Sequence, residues 1–482
     1  MGIDIEIGLA HPLALAPYVY ATFESVVSGA ARAWETATPN GNASGTGLAL
    51  SANSRYITRN GSPFLIVGDS AQALATNMSP TSATSGTPGG YTSDVEYYFA
   101  VRQAQGFNTA QIMVVCDGYT GGYGSEGGSN YGKVQDGTAQ DGVLPFTATL
   151  SGGYYNLNAP NSTYFDRIDT IVEIGAAYEF VLFLNPCETG GWLSTILANG
   201  SGSSSNNYKY GQFLGERYAG YNNIVWCSGN DYNSAGPTDD PYVVAIMNGI
   251  IDKDPSAFQT IELYDNTESM MDTVFAPIIS LNAVYTYDTT YAGMLDGYDN
   301  YDPWLPTFLV EGDYEGENLD GGPGGTPLHL RAQAYWAITC GGVGQLYGNH
   351  DVWPVASDWR SHLTDTGAAQ MQYYPQFFAP LAWQSLVPDS SNVFLTGGYS
   401  SGASLATAGL SGDGTLGVIY VPSSSTVTVN LAKMAASVTA QWYDPTHGTY
   451  TAIGSGLTGS HNFTTPGNNN AGDPDWLLLL QA

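Results

Sequence analysis

The sequence predicts an α/β protein, a (β/α)8 TIM barrel followed by a C-terminal antiparallel β-sandwich. Three observations carry this. Short apolar runs alternate with helical patterns about eight times between residues 48 and 390. The runs are near-continuously apolar, as expected of parallel strands buried on both faces. From 391 to 482 helical spacing stops, and strands broken by SGDG and PSSS turns remain. Residues 1–47, ending in the loose PNGNASGTG, read as an arm or linker.

The elements follow in order. Phe64 to Val67 is the first strand. Ser93 to Glu96 is a capping box opening a helix with Val95, Tyr98 and Arg102 on one face, and Gly106 stops it. Phe107 to Val115 is the second strand. Ile168, Ile171, Val172 and Gly175 keep helical spacing before the strand Phe180 to Leu184. Phe213 to Tyr218 is helical before Ile224 to Trp226, and Val243 to Ile251 before Thr260 to Tyr264. Ile278 to Tyr285 and Thr307 to Val310 come next. A helix around Leu330 to Thr339 precedes Gly344 to Tyr347. An open doubly wound sheet is the alternative, but no GxGxxG follows any strand.

Composition narrows the function. Twelve Lys and Arg stand against 43 Asp and Glu, a net charge of −31 that repels phosphate backbones and argues against a nucleic-acid partner. No run of apolar residues is long enough for a helical membrane span. The beginning of the sequence lacks the basic start of a signal peptide. Scarce lysine and a polar, Gly-rich make-up point to an extracellular or cell-surface setting. Cys116, Cys187, Cys227 and Cys340 have no CxxC spacing and read as buried thiols, with one bridge left open. No cofactor is expected. No metal is expected either, although Asp296, Asp299 and Asp302 offer hard oxygen ligands without EF-hand spacing. No GxSxG elbow is present.

In a barrel of this kind the residues just past the strand ends line the site. Here these are Asp69, Asp117, Glu188 with Trp192, Asn230 and Asp231, Asp265, Tyr285 and Tyr287, Glu311 with Tyr314 and Glu315, and Tyr347 with His350 and Trp353. Acids, aromatics and amides grip hydroxyls and stack on rings. Cleaving a glycosidic bond needs two carboxyls, one to protonate the leaving oxygen and one to attack or support the anomeric carbon. Strands four and seven lie across the ring from each other, so Asp231 and Glu311 are the candidate pair.

Phe64 to Asp69, Gly106 to Asn108, Gly229 to Asp231, Glu311 to Glu315, and Tyr347 to His350 with Trp353 resemble, in order, the apiosidase-like glycoside hydrolases. That group carries the domain of unknown function 4038 and includes glycoside hydrolase family 140. Trp442 to Pro445 and Asp475 with Trp476 resemble its C-terminal β-sandwich, which has been labelled collagen-binding. The resemblance covers roughly residues 50 to 480. It implies a retaining glycosidase with Asp231 as acid/base and Glu311 as nucleophile. Relatives commonly have proline after the nucleophile; Gly312 stands here, and Glu315 is a second candidate for that role.

Each remaining residue has a functional and a plainer reading. Asn230 donates to the hydroxyl beside the anomeric carbon, or tightens a turn. Asp69 grips a terminal sugar, or anchors a barrel-mouth network. His350 bonds to substrate or holds Glu311, or is an ordinary buried histidine. Asp117, Glu188, Trp192, Tyr287, Tyr314, Tyr347 and Trp353 contact substrate, or pack. The Gly- and Tyr-rich insertion from Gly118 to Tyr155 walls off the site or leaves a groove. A different function class also fits: a non-catalytic glycan-binding or structural subunit of an extracellular or virion assembly, self-assembling through the 1–47 arm. A collagen-acting protease ranks last, because neither a zinc motif nor a nucleophile triad is present.

Overall fold

The computed structural model describes residues 47–116, 137–233, 238–317 and 324–482. Asp117 and all but the last residue of the 1–47 arm lie outside the described residues, and so does much of the 118–155 insertion.

Eight parallel strands form the barrel: β1 (Ile66–Ser70), β2 (Thr109–Met113), β3 (Val181–Asn185), β4 (Ile224–Tyr232), β5 (Phe258–Leu263), β6 (Asn282–Tyr285), β7 (Thr307–Glu311) and β8 (Gly344–Asn349). Their order is β5-β4-β3-β2-β1-β8-β7-β6, with each neighbouring pair parallel. Each expected strand is present. The apolar runs are continuous because helices cover the outside while side chains fill the inside. The helices are α1 (Asp94–Ala104), α2 (Ser162–Ala177), α3 (Thr189–Ala198), α4 (Asn206–Tyr218), α5 (Asp240–Lys253), α6 (Tyr291–Asp299) and α7 (Pro327–Thr339).

The capping box at α1 is half realised. Ser93 Oγ accepts from Glu96 N at 3.0 Å, but Glu96 Oε2 reaches back to the N–H and hydroxyl of Thr92, one residue earlier than the motif requires.

The β5–β6 seam departs from a regular barrel. No long helix links these strands. Thr267 and Glu268 pair antiparallel with β6 instead, followed by a single 3-10 turn at Ser269–Met271. Ser269 Oγ donates to Ile261 O and accepts from Ala283 N at 3.0 Å, which bridges the seam through a side chain. Thr260 Oγ1 donates to Leu281 O at 2.8 Å, and Ser280 N donates to Gln259 O at 2.7 Å.

The C-terminal part has two antiparallel sheets. One contains β9 (Leu386–Pro388), β11 (Thr407–Ser411), β12 (Leu416–Val421), β17 (Trp476–Gln481), β14 (Val438–Tyr443) and β15 (Tyr450–Leu457) in that order. The other contains β10 (Leu395–Gly397), β13 (Thr426–Asn430) and β16 (Ser460–Thr464). β9 pairs with β11, so this sheet takes in residues ahead of 391. Period-two alternation divides its side chains between two cores. Leu478, Leu480 and Ile419 pack inside the sandwich, whereas Leu477, Leu479, Val418 and Tyr420 join the barrel core. The WLLLL run is therefore apolar at every position because both of its faces are covered. All four cysteines are buried, and no disulfide joins them.

Candidate active site

β4 ends in an unusual backbone. Gly229, Asn230 and Asp231 all have positive φ, at 92°, 81° and 50°, and the pairing register with β5 shifts between Gly229 and Tyr232. This bulge redirects the Asp231 side chain from the strand path. Three bonds hold it. Asn185 Nδ2 donates to Gly229 O at 2.9 Å, Thr189 Oγ1 donates to Asn230 O at 2.8 Å, and Asp231 N donates to Glu262 Oε1 at 3.3 Å. A Cβ on Gly229 would lie 2.1 Å from Glu262 O, so only glycine lets β4 and β5 approach this closely.

Across the barrel, Glu311 closes β7 and is 5% exposed. Tyr287 Oη donates to its Oε1 at 2.8 Å and Tyr314 Oη to its Oε2 at 3.1 Å. Gln72 Nε2 donates to Tyr314 Oη at 3.0 Å. A register shift between β6 and β7 sets Tyr285 beside Glu311. Tyr285 Oη lies 3.0 Å from Asp231 Oδ1 and 2.7 Å from Tyr287 Oη. Asp231 and Glu311 are thus joined by three successive hydrogen bonds across one shared site.

A third acid belongs to the cluster. Glu262, on β5, is fully buried. It accepts from Gln111 Nε2 at 2.7 Å and from Asn230 Nδ2 at 3.2 Å. Burial, and then the charge of Asp231, pushes Glu262 up to about 7, while Gln111 and Asn230 pull the other way. Burial, and then the charges of Glu262 and Asp231, raises Glu311 well above the ordinary carboxylate range, against the Tyr287 and Tyr285 hydroxyls. Burial of Glu262 and Glu311 and the mutual repulsion of the three acids oppose their ionising together.

The family description "Apiosidase-like, catalytic domain" matches residues 51–385. The chain belongs to this family. Residues 387–481 match the "Putative collagen-binding domain of a collagenase". Two solved structures share the fold over nearly the whole length. One, called a glycoside hydrolase, is 19% identical with a TM-score of 0.73, covering 91% of this chain and 97% of its own. A glycoside hydrolase family 5 protein from Bacteroides vulgatus is 19% identical with a TM-score of 0.72, covering 90% and 93%. No curated protein matches the chain. As a member of the apiosidase-like catalytic family, the chain is a glycoside hydrolase.

Of the residues expected from sequence, this apiosidase-like site gathers Asp231, Glu311, Asn230, Tyr285, Tyr287 and Tyr314. The others take different places. Asp69 is fully buried, and its Oδ2 accepts from Arg102 Nε and Tyr98 Oη, both at 2.7 Å, which is the network reading rather than a grip on sugar. Glu315 accepts from Gly367 N, Ala368 N and Tyr347 Oη, so it ties β8 to a following helical turn and occupies Tyr347 as well. Glu188 caps α3 by accepting from Gly191 N at 2.7 Å. Trp192 is fully buried and stacks on Tyr155, with ring centroids 5.5 Å apart. His350 does not hold Glu311; it is 58% exposed, with Nδ1 3.2 Å from Asp351. Trp353 Nε1 donates to Glu317 Oε1 at 3.0 Å. These corrections share a cause. Strand ends in the sequence reveal which residues arrive at the mouth, but not which of them neighbouring helices and loops have already engaged.

Sequence reading missed Glu262, Gln111 and Gln72 as site groups. One signal was available: Thr260 and Glu262 alternate with apolar Ile261 and Leu263, so the acid takes an inward position in a buried strand. A Cβ on Gly312 would lie 2.5 Å from Gln333 Nε2, the far end of a flexible side chain. Among the described residues one trio, Asp351, Asp358 and His362, brings possible metal-ligand atoms together, outside the acid cluster and partly exposed. Asp296 instead faces Glu268.

Proposed function

We propose that this chain cleaves glycosidic bonds of an oligosaccharide or polysaccharide with retention of configuration, by double displacement. Glu311 attacks the anomeric carbon while Asp231 protonates the leaving oxygen. Asp231 then deprotonates the water that releases the glycosyl-enzyme. One observation carries the reading: the acids at the ends of β4 and β7 face each other through three hydrogen bonds, with Glu311 receiving two phenol donors. Two tyrosine hydroxyls favour an ionised Glu311, as a nucleophile requires. Asn230 has its amide nitrogen on Glu262, while its buried Oδ1 accepts no bond among the described residues and is available to a substrate hydroxyl. Glu262 positions both Asn230 and the Asp231 backbone.

The low lysine content supports an extracellular setting, and the sandwich buttresses the barrel from 391 onward. The test is hydrolysis of a panel of aryl glycosides and plant or bacterial polysaccharides, with the first-formed anomer followed by proton NMR. Retention is expected. Glu311→Gln is expected to abolish turnover. Asp231→Asn should lose about 10²- to 10⁴-fold on poor leaving groups and much less on dinitrophenyl glycosides, which need no acid. Inversion, or wild-type rates in both variants, defeats the proposal.

A further inference from the structure

The hydroxyl of Tyr285 carries one proton but makes two short contacts, to Asp231 Oδ1 at 3.0 Å and to Tyr287 Oη at 2.7 Å. Tyr287 Oη in turn lies 2.8 Å from Glu311 Oε1. Three hydrogen bonds join four oxygens, and each bond needs a proton between its ends. The two phenols supply two of the three. The third therefore sits on Asp231 or on Glu311.

Both phenols stay neutral. Burial, and then the charge of Glu311, raises each of them far above the ordinary tyrosine range. Two arrangements satisfy the count. In one, Asp231 donates to Tyr285, Tyr285 to Tyr287, and Tyr287 to an ionised Glu311. In the other, every bond points the opposite way and Glu311 holds the acid proton. Glu262 sets a like charge against both acids, but Tyr314 donates a further hydrogen bond to Glu311, and that donation favours the first arrangement.

We propose that Tyr285 and Tyr287 form a proton relay through which Asp231 and Glu311 share a single proton, so that ionising the nucleophile protonates the acid. The step balances. One proton leaves Glu311 Oε1 for Tyr287 Oη, the Tyr287 proton passes to Tyr285 Oη, and the Tyr285 proton passes to Asp231 Oδ1. Both phenols end neutral, and no solvent proton is consumed. Among the described residues, the ionisable groups beside the relay and its two acids include Glu262, Tyr314 and Cys227. The roles of the two acids rest on the hydrolytic reading above; the shared proton rests on the hydrogen-bond geometry alone.

The test is proton NMR of the full chain at low temperature, downfield of the amide envelope, which needs no substrate. Wild type is expected to show hydroxyl resonances that are lost one at a time in Tyr285→Phe and Tyr287→Phe. The Tyr287 resonance should move in Asp231→Asn, although Asp231 bonds only to Tyr285 in the relay, and the Tyr285 resonance should move in Glu311→Gln. A merely structural tyrosine pair would not transmit across a bond it does not make. Absence of the downfield signals in wild type, or a Tyr287 signal indifferent to Asp231→Asn, overturns the relay. Kinetics give the separate check. Tyr285→Phe should slow phenyl glycosides at least tenfold more than dinitrophenyl glycosides, whereas equal losses on both mean positioning without proton delivery. A chain inert on every glycoside sinks the hydrolytic reading and leaves the NMR outcome standing.

Discussion

Gly229, Asn230 and Asp231 decide where the acid of this enzyme points, and they do so with backbone that only one of them adopts cheaply. A non-glycine residue at positive φ costs on the order of 1–3 kcal/mol, and two stand here in succession. The surrounding bonds from Asn185, Thr189 and Glu262 offset that cost. Gly229→Ala is expected to be the most damaging single methyl in the site, because the added carbon meets the Glu262 carbonyl and β5 has no room to retreat. Thermal melts should show a loss of more than about 2 kcal/mol, with activity lost even in the folded fraction. A variant that folds and turns over like wild type would mean the bulge is not what sets the acid. At this scale the sequence was half legible. A Gly-Asn-Asp after an apolar run announces a turn with chemistry on it, and Glu311 after its own run announces the partner. The support was hidden because Glu262 and Gln111 lie within strands rather than after them, and inward direction there depends on register.

Among the elements, the β5–β6 seam is the one the sequence concealed. Eight apolar runs set eight strands, and capping residues such as Ser93 and Thr326 mark helix starts. Nothing between Tyr264 and Ile278 signals that a short strand and one 3-10 turn would replace a helix. The Ser269 hydroxyl compensates by bridging both strands. Ser269→Ala leaves the Ala283 N–H and the Ile261 carbonyl without that partner, and is expected to cost about 1–3 kcal/mol by chemical denaturation. An unchanged midpoint would show that the seam closes without it. Glu268, in the same short strand, supplies the pH dependence. Burial, and then its bond to Asp296, pushes it up to about 8. Its folded value lies above its ordinary 4.5, so the native state holds this proton where the unfolded chain does not. The stability it contributes is full below about pH 4.5 and is lost as pH rises through about 8. Gln mimics the neutral acid. Glu268→Gln should therefore melt like wild type at pH 5 and above wild type at pH 9; a lower melting point at both would refute the assignment.

At the scale of the whole molecule, α7 joins the catalytic barrel to the sandwich. It follows β7, which ends in Glu311, and every residue from His329 to Thr339 is buried. No amphipathic stripe marks such a helix, because one side meets the barrel and the other meets β11 and β12. Arg331 reaches from it into the sandwich, where its Nε and Nη2 take both oxygens of Asp475 at 3.0 and 2.7 Å, and Asp473 adds a third carboxylate contact at 2.8 Å. Tyr335 stacks on Tyr420, and Trp336 Nε1 donates to Leu405 O at 2.9 Å. The strand that follows Asp475 also lends Leu477 and Leu479 to the barrel core, so the sandwich sheet covers an apolar face of the barrel. One cooperative unfolding transition is the expected result for the wild type. Asp475→Asn keeps the shape but strands a buried guanidinium without its bidentate partner, a loss on the order of 3–5 kcal/mol. If Arg331 and Asp475 hold the two parts together, calorimetry of that variant should show the single peak fall in temperature and split. Arg331→Met combined with Asp475→Leu should recover much of the loss, since the apolar pair removes the stranded charge along with the bridge. A split peak in wild type, or a single variant that melts unchanged, would show that α7 merely touches the sandwich and that the barrel holds its active site alone.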